Sequence, residues 1–117
     1  MNSEEMSPYW QSESALIYLA DSTEVMNHMG EETVDMIFAD PPYFLSNGGI
    51  SCKSGKVVSV NKANWDKSNG IKEDYEFTYN WLNECRRVLK DNGTIWISGT
   101  IHNIYQVGFA LQKLKFK

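Results

Sequence analysis

Four consecutive residues, Asp40-Pro41-Pro42-Tyr43, carry more chemistry than any other stretch of this chain. An ionised aspartate only accepts hydrogen bonds, through two oxygens. The prolines donate no backbone hydrogen bonds and hold their neighbours extended, so the carbonyls of Asp40 and Pro41 stand rigid and without a ladder partner. Tyr43 adds a flat ring able to stack. The result is an acceptor-rich, donor-poor corner with a stacking wall. It suits an exocyclic amino group on a planar base, with N–H bonds directed to Asp40 and to a carbonyl while the ring lies on Tyr43. A strand merely ended by a Pro-Pro turn would leave the same four residues, so the surrounding elements must separate the two readings.

Those elements read as follows. Residues 34–39 (VDMIFA) form an apolar strand that ends at Asp40. Upstream, residues 14–19 (SALIYL) are apolar, short and quickly broken, which predicts a buried strand. Asp21 or Ser22 then caps a short helix with Val25, Met26 and Met29 on one face and Gly30 as its stop. Strand, helix and strand within about 25 residues predict a compact βαβ unit with parallel strands. Residues 1–13 are a flexible lead-in, from which Tyr9 and Trp10 can dock on the body, and the domain proper is residues 14–117.

Residues 44–71 show no period and hold Lys53, Lys56, Lys62 and Lys67 against Asp66 alone. A loop of that length in a compact domain is functional or disordered; residues 57–60 (VVSV) can make a small strand or hairpin inside it. From Glu73 a helical stripe runs through Phe77, Trp81, Leu82, Cys85, Val88 and Leu89. Arg86, Arg87 and Lys90 suit its last turns, and Asn92-Gly93 is its expected stop. Residues 94–98 (TIWIS) are a third strand. A last helix follows with Ile101, Ile104, Gly108, Leu111 and Leu114 or Lys115 in phase. The order β-α-β-loop-α-β-α is an α/β arrangement with a parallel sheet. Ligands of such sheets sit beyond the carboxyl ends of the strands, where Asp21, Asp40 and Ser98-Gly99 are expected.

Bulk properties narrow the class. At 117 residues the chain builds one modest core, and 42% hydrophobic residues with 22% charged exclude wholesale disorder. No apolar run approaches the ~20 residues of a membrane span, and the polar, acidic start does not resemble a signal peptide; a cytoplasmic protein is expected. The net charge of −4 is uneven: residues 1–43 hold nine acids and no Lys or Arg, whereas all eleven Lys and Arg follow. A basic second part would face a polyanion, although clustered solvated charge gives the same count. Cys52 and Cys85 lack metal-ligand spacing, so no metal site is expected. Cys85 falls on the helix stripe as core and Cys52 in the loop.

Asp-Pro-Pro-Tyr at the end of an apolar strand resembles the signature of DNA amino-methyltransferases that use S-adenosylmethionine. The wider run IFADPPYFLSNGG, the later Trp65-Asp66 and WISGTIHNIYQVGFAL are similar to the β-type adenine-N6 methyltransferases of restriction–modification systems, above all the Dpn-type enzymes that modify GATC. The likeness runs from about Ser14 to the last residue and implies a partial Rossmann-like methyltransferase fold. By that resemblance Asp40 and the Pro41 carbonyl hold the N6 amino group, with Pro42 fixing the turn, and Tyr43, with Phe44, stacks on an adenine flipped out of DNA. Asp21 and Ser22, together with Asp40, lie near the cofactor; Ser98 lines the target-base pocket. The 44–71 loop closes over DNA with Lys53 and Lys56 on phosphates, contacts that position without reading sequence. His102 matches a family His-Asn pair and is assigned no catalysis. Asp rather than Asn at position 40 leans to DNA over an amide in RNA or protein, which stays an alternative.

The resemblance also has a gap. In the family, the glycine-rich cofactor turn and the target-recognition region lie further towards the C-terminus, and Gly48-Gly49 do not fit such a turn. The chain is therefore expected to be an N-terminal catalytic portion, truncated or split, working with a second polypeptide or surviving as an inactive remnant that binds nucleic acid. Uncovered sheet edges and faces make an unstable or self-associating chain the expected behaviour. Sedimentation and thermal melting test this: association or a broad melt is expected, and a cooperatively melting monomer would contradict it.

Overall fold

A computed structural model describes residues 6–45, 50–53, 56–59 and 64–117, with the side chains of 50–53, 56–59 and 64 outside the description. Its centre is a parallel pair of strands, β3 (Val34–Ala39) and β6 (Leu89–Ile97), joined by the long helix α2 (Ile71–Val88). Before them come β1 (Trp10–Gln11), β2 (Leu16–Ile17) and α1 (Ser22–Asn27); between them lies the hairpin of β4 (Ile50–Lys53) and β5 (Lys56–Ser59), and α3 (Ile104–Lys113) closes the order. This is the α/β, Rossmann-like arrangement expected from the sequence, in partial form. Among the described residues no helix is long and apolar enough to cross a membrane.

Strand alternation decides where the core sits. Ile37 and Ala39 of β3 and Ile95 and Ile97 of β6 pack against Trp81, Leu82 and Cys85 of α2 and Val107, Ala110 and Leu114 on and just after α3. The opposite face of the sheet presents Met36, Phe38 and Trp96, which are 56%, 70% and 62% exposed. Cys85 is buried, and that burial, with Glu84 beside it, pushes its thiol up to about 12. A neutral buried thiol is core material and no nucleophile.

Several expectations are corrected. Only Leu16–Ile17 of residues 14–19 forms a strand; it is exposed and pairs antiparallel with Trp10–Gln11, leaving β3 without a neighbour on that side among the described residues. The apolar run signalled a strand but not its partner, and a tight turn at Ser12 (N–H to the Ala15 carbonyl, 2.8 Å) brings the nearest one within reach at small loop-closure entropy. The expected β-α-β unit of residues 14–39 is therefore a local hairpin, then α1, then β3. Part of the supposed lead-in, Trp10–Gln11, belongs to that hairpin.

The long helix ends at Val88, before Asn92-Gly93. Leu89 turns extended, and the carbonyls of Arg87 and Val88 accept the N–H groups of Glu32 and Thr33 at 2.9 Å each, which caps the helix with the entry to β3. Asn92-Gly93 instead sits in a bulge of β6, where the register jumps from Val34–Leu89 to Met36–Thr94. A Cβ on Gly93 would lie 2.6 Å from Leu89 Cδ1 and 2.9 Å from the Lys90 carbonyl, so the bulge admits only glycine.

Helix α3 and its flanks bury Asn103, Val107, Ala110 and the expected Leu114, with Leu111 packed on the core, but expose Ile101, Ile104 and Gly108, so the first turns face differently from the expectation. Apolar residues surround this helix, so their spacing alone did not fix its phase. Phe77, finally, is 46% exposed and meets Phe44 edge-to-face at 6.2 Å instead of entering the core.

Arg87 ties α1 to α2, donating to the Met26 and Met29 carbonyls at 2.6 and 2.9 Å while pairing with Glu84. Leu82, with no exposed surface, is the centre of the packing. Leu82→Ala is expected to lower unfolding free energy by about 2–5 kcal/mol, read as an earlier urea midpoint with unchanged slope.

Candidate active site

The register of the parallel pair builds the site. Phe38 lies opposite Trp96 and Ala39 opposite Ile97, and the Ser98 N–H continues the ladder to the Ala39 carbonyl at 3.0 Å. Asp40 and Ser98 therefore leave their strands side by side at the carboxyl edge. The Ser98 hydroxyl donates to Asp40 Oδ1 at 2.6 Å, and the Tyr43 hydroxyl lies 2.5 Å from the same oxygen and 2.7 Å from Ser98 Oγ. Both donors use one oxygen. Among the described residues no group reaches Asp40 Oδ2 or the Pro41 carbonyl, so two acceptors point from the motif without a partner.

The electrostatics follow from this cluster. Asp40 is exposed, and the Ser98 hydroxyl, then the Tyr43 hydroxyl, hold its carboxyl below the ordinary 3.8. Its bond to Asp40 raises the Tyr43 phenol above the ordinary 10.0, with the Ser98 bond acting in the opposite sense. Across neutral pH the pair is a carboxylate and a neutral phenol.

Two buried polar side chains hold the motif from behind. Asp66, 3% exposed, receives the backbone N–H groups of Tyr43 and Phe44 on Oδ1 (2.8 and 3.0 Å) and that of Leu45 on Oδ2 (3.1 Å). Asn103, 2% exposed, donates to the Pro42 carbonyl at 3.4 Å and accepts the Thr100 N–H at 2.7 Å. Phe44 has a φ of 59°, a left-handed conformation that costs an L-residue roughly 1–2 kcal/mol. Neither Asp66 nor Asn103 was assigned a role from sequence. The one signal was their place in matched runs, Trp65-Asp66 and His102-Asn103, since nothing local marks a carboxylate whose partners lie more than twenty residues away.

The other expected site residues are more scattered. Phe44 is 6% exposed and packs on Phe77, so its ring supports the motif from inside. The Asp21 carboxylate caps α1 through the Thr23 and Glu24 N–H groups at 2.9 and 3.3 Å, and Ser22 opens that helix. Because β2 does not join β3, no shared sheet edge brings Asp21 and Ser22 to Asp40. Lys53 and Lys56 face one another across the β4–β5 hairpin, and their side chains fall outside the described residues, as does Gly48-Gly49. Among the described residues no cluster of His, Cys, Asp and Glu suits a metal ion. Nor do these residues assemble a complete cradle for S-adenosylmethionine: the Asp21 carboxylate is engaged as a helix cap, and no glycine-rich turn opens either α2 or α3 at the sheet edge.

The chain is similar to known proteins. A family model described as DNA methylase matches residues 34–117. The chain is 51% identical over 110 residues to Type II methyltransferase M2.LlaDCHI of Lactococcus lactis subsp. cremoris, and 50% identical over 110 residues to Type II methyltransferase M2.DpnII of Streptococcus pneumoniae. It is 47% identical over 112 residues to Type II methyltransferase M2.MboI of Moraxella bovis. Each alignment covers 94% of this chain and 41% of the relative, so the chain spans well under half the length of these relatives.

The Asp40–Tyr43 bond has a pH signature with a definite sign. The phenol's contribution is present below its ordinary 10.0 and is lost as pH rises through its raised value. The carboxylate's is present above the ordinary 3.8 and is lost as pH falls through its lowered value. In a tyrosinate absorbance titration Tyr43 is expected to ionise late. Tyr43→Phe should remove that late component and Asp40→Asn should shift it earlier; an unchanged curve in both would refute the bond.

Proposed function

The chain belongs to the DNA methylase family, and from that premise we propose that it is the amino-binding portion of a site-specific DNA adenine-N6 methyltransferase. The observation that carries this reading is the pair of acceptors, Asp40 Oδ2 and the Pro41 carbonyl, left without partners among the described residues, beside a tyrosine ring at the carboxyl edge of a parallel sheet. An exocyclic amino group has two N–H bonds to give, and this corner offers two acceptors for them.

Asp40 and Pro41 accept the N6 protons of an adenine extruded from the duplex, and Tyr43 stacks on its ring. Acceptance from both N–H groups bends the nitrogen out of conjugation and aims its lone pair along one line. S-adenosylmethionine supplies a methyl group on positively charged sulfur, an electrophile that needs no metal for activation. The amine that gains the methyl becomes strongly acidic, so a carboxylate held below its ordinary pKa suffices: Asp40 works as an acceptor and orienter, not as a strong base. The rate gain is then one of position and electrostatics. Pro42 keeps the turn rigid, Ser98 fixes the Asp40 rotamer, and Lys53 and Lys56 on the hairpin meet DNA phosphates. Asp21 and Ser22 are assigned to the outer wall of the donor site. The donor cradle and the target-reading surface are completed by sequence corresponding to the rest of the relatives, supplied by a second polypeptide if not by this one.

A second reading is favoured by the incomplete donor cradle: a nucleic-acid-binding portion with no transfer of its own. The chain, alone and mixed with the C-terminal portion of a relative, is tested with methyl-labelled S-adenosylmethionine and unmethylated single- and double-stranded DNA. Label on adenine N6, reduced about 10²–10³-fold by Asp40→Ala, is the expected result. DNA binding without transfer in either format supports the second reading, and label on cytosine would overturn the adenine assignment.

A further inference from the structure

The motif's own side chains do not explain why Tyr43 meets Asp40. Tyr43 lies three residues after Asp40, beyond two prolines that favour an extended path. An extended path carries a side chain away from its starting point. Here the Tyr43 hydroxyl nevertheless lies 2.5 Å from Asp40 Oδ1, and the residue that follows, Phe44, is left-handed (φ 59°).

Something must hold Tyr43 in that position, and the geometry points to Asp66. We infer that Asp66 is the positioning residue that sets Tyr43 against Asp40. Three successive N–H groups, of Tyr43, Phe44 and Leu45, converge on its two oxygens at 2.8, 3.0 and 3.1 Å. Successive backbone N–H groups around a left-handed residue form a concave anion site. In this protein a carboxylate of the same chain, 3% exposed, fills it. The anion offsets the backbone strain at Phe44 and satisfies three donors that the turn would otherwise bury unpaired. Phe44, pinned at its N–H, directs its ring inward to Phe77, and Tyr43 is left facing the sheet edge. Asp66 touches neither acceptor of the open corner; it acts through the backbone of Tyr43. Its functional meaning rests on the proposal that Tyr43 stacks on the target base, but its structural effect does not.

The test uses the full chain and a readout independent of methyl transfer. Each tyrosine is followed through an alkaline titration by 19F NMR after 3-fluorotyrosine incorporation, with Tyr43→Phe identifying the Tyr43 signal. In Asp66→Asn, whose amide replaces one acceptor oxygen with a donor facing the same N–H groups, the Tyr43 titration should move down towards an ordinary tyrosine while the other five keep theirs. Asp74→Asn is the control for simple destabilisation. Asp74 is also buried (6% exposed) and receives the Ser68 hydroxyl and the Asn69 N–H, so this variant should weaken the start of α2 without moving Tyr43. If Tyr43 titrates unchanged in folded Asp66→Asn, or moves equally in Asp74→Asn, the inference fails. Should Asp66→Asn not fold, amide exchange on the unmodified chain decides: protection of the 43, 44 and 45 amides as a group is expected, and free-chain exchange rates there would overturn it. Absence of methyl transfer by the unmodified chain in either format, together with a shifted Tyr43 titration in Asp66→Asn, would sink the proposed function and leave this inference standing.

Discussion

The in-register parallel pairing of β3 and β6 is the constraint on which the rest depends. Met36 to Ala39 run opposite Thr94 to Ile97 without slippage, so both strands end at the same level and deliver Asp40 and Ser98 as neighbours. A slip of one residue would turn Ile37, Ala39, Ile95 and Ile97 away from α2 and α3. It would also separate the serine hydroxyl from the carboxylate it orients. The hydrophobic demand for burial and the geometry of the site are thus satisfied by one register.

Around that pairing, buried polar groups fix the path of the backbone. Asp66 accepts the N–H groups of Tyr43, Phe44 and Leu45, Asn103 donates to the Pro42 carbonyl and accepts a turn N–H before α3, and Asp74 holds Ser68 and Asn69 ahead of α2. Each bonds to main chain outside regular pairing, with the Ser68 hydroxyl as a further partner of Asp74, where an unpaired buried group would be costly. Asp66 meets the backbone donors at the end of the motif and Asn103 the Pro42 carbonyl, whereas among the described residues Asp40 Oδ2 and the Pro41 carbonyl have no partner.

The sheet is apolar on both faces but covered on one. Met36, Phe38 and Trp96 lie on the uncovered face and are more than half exposed, whereas the helix side holds the whole described core. Sheets of this kind are usually covered on both faces. The uncovered face agrees in character with a chain that spans 41% of its relatives' length.

The sequence by itself determined the elements whose signals are local. The apolar run of residues 34–39, the proline pair behind Asp40, the Asp21 cap and the stripe of Trp81, Leu82, Cys85 and Val88 each need only near neighbours to be read, and each stands where it was expected. Tertiary structure decided what depends on partners. It chose Trp10–Gln11 over β3 as the mate of Leu16–Ile17, made Asn92-Gly93 a bulge instead of a helix stop, and set the first turns of α3 so that Asn103 is inside. It also turned Phe44 inward and made Asp66 the anchor of Tyr43. The physical reason is common to all of these. Periodicity and capping are properties of a segment, whereas strand partners, helix phase around an apolar cylinder and the hydrogen bonds of a buried carboxylate are settled only when distant segments compete for the same donors and the same buried surface.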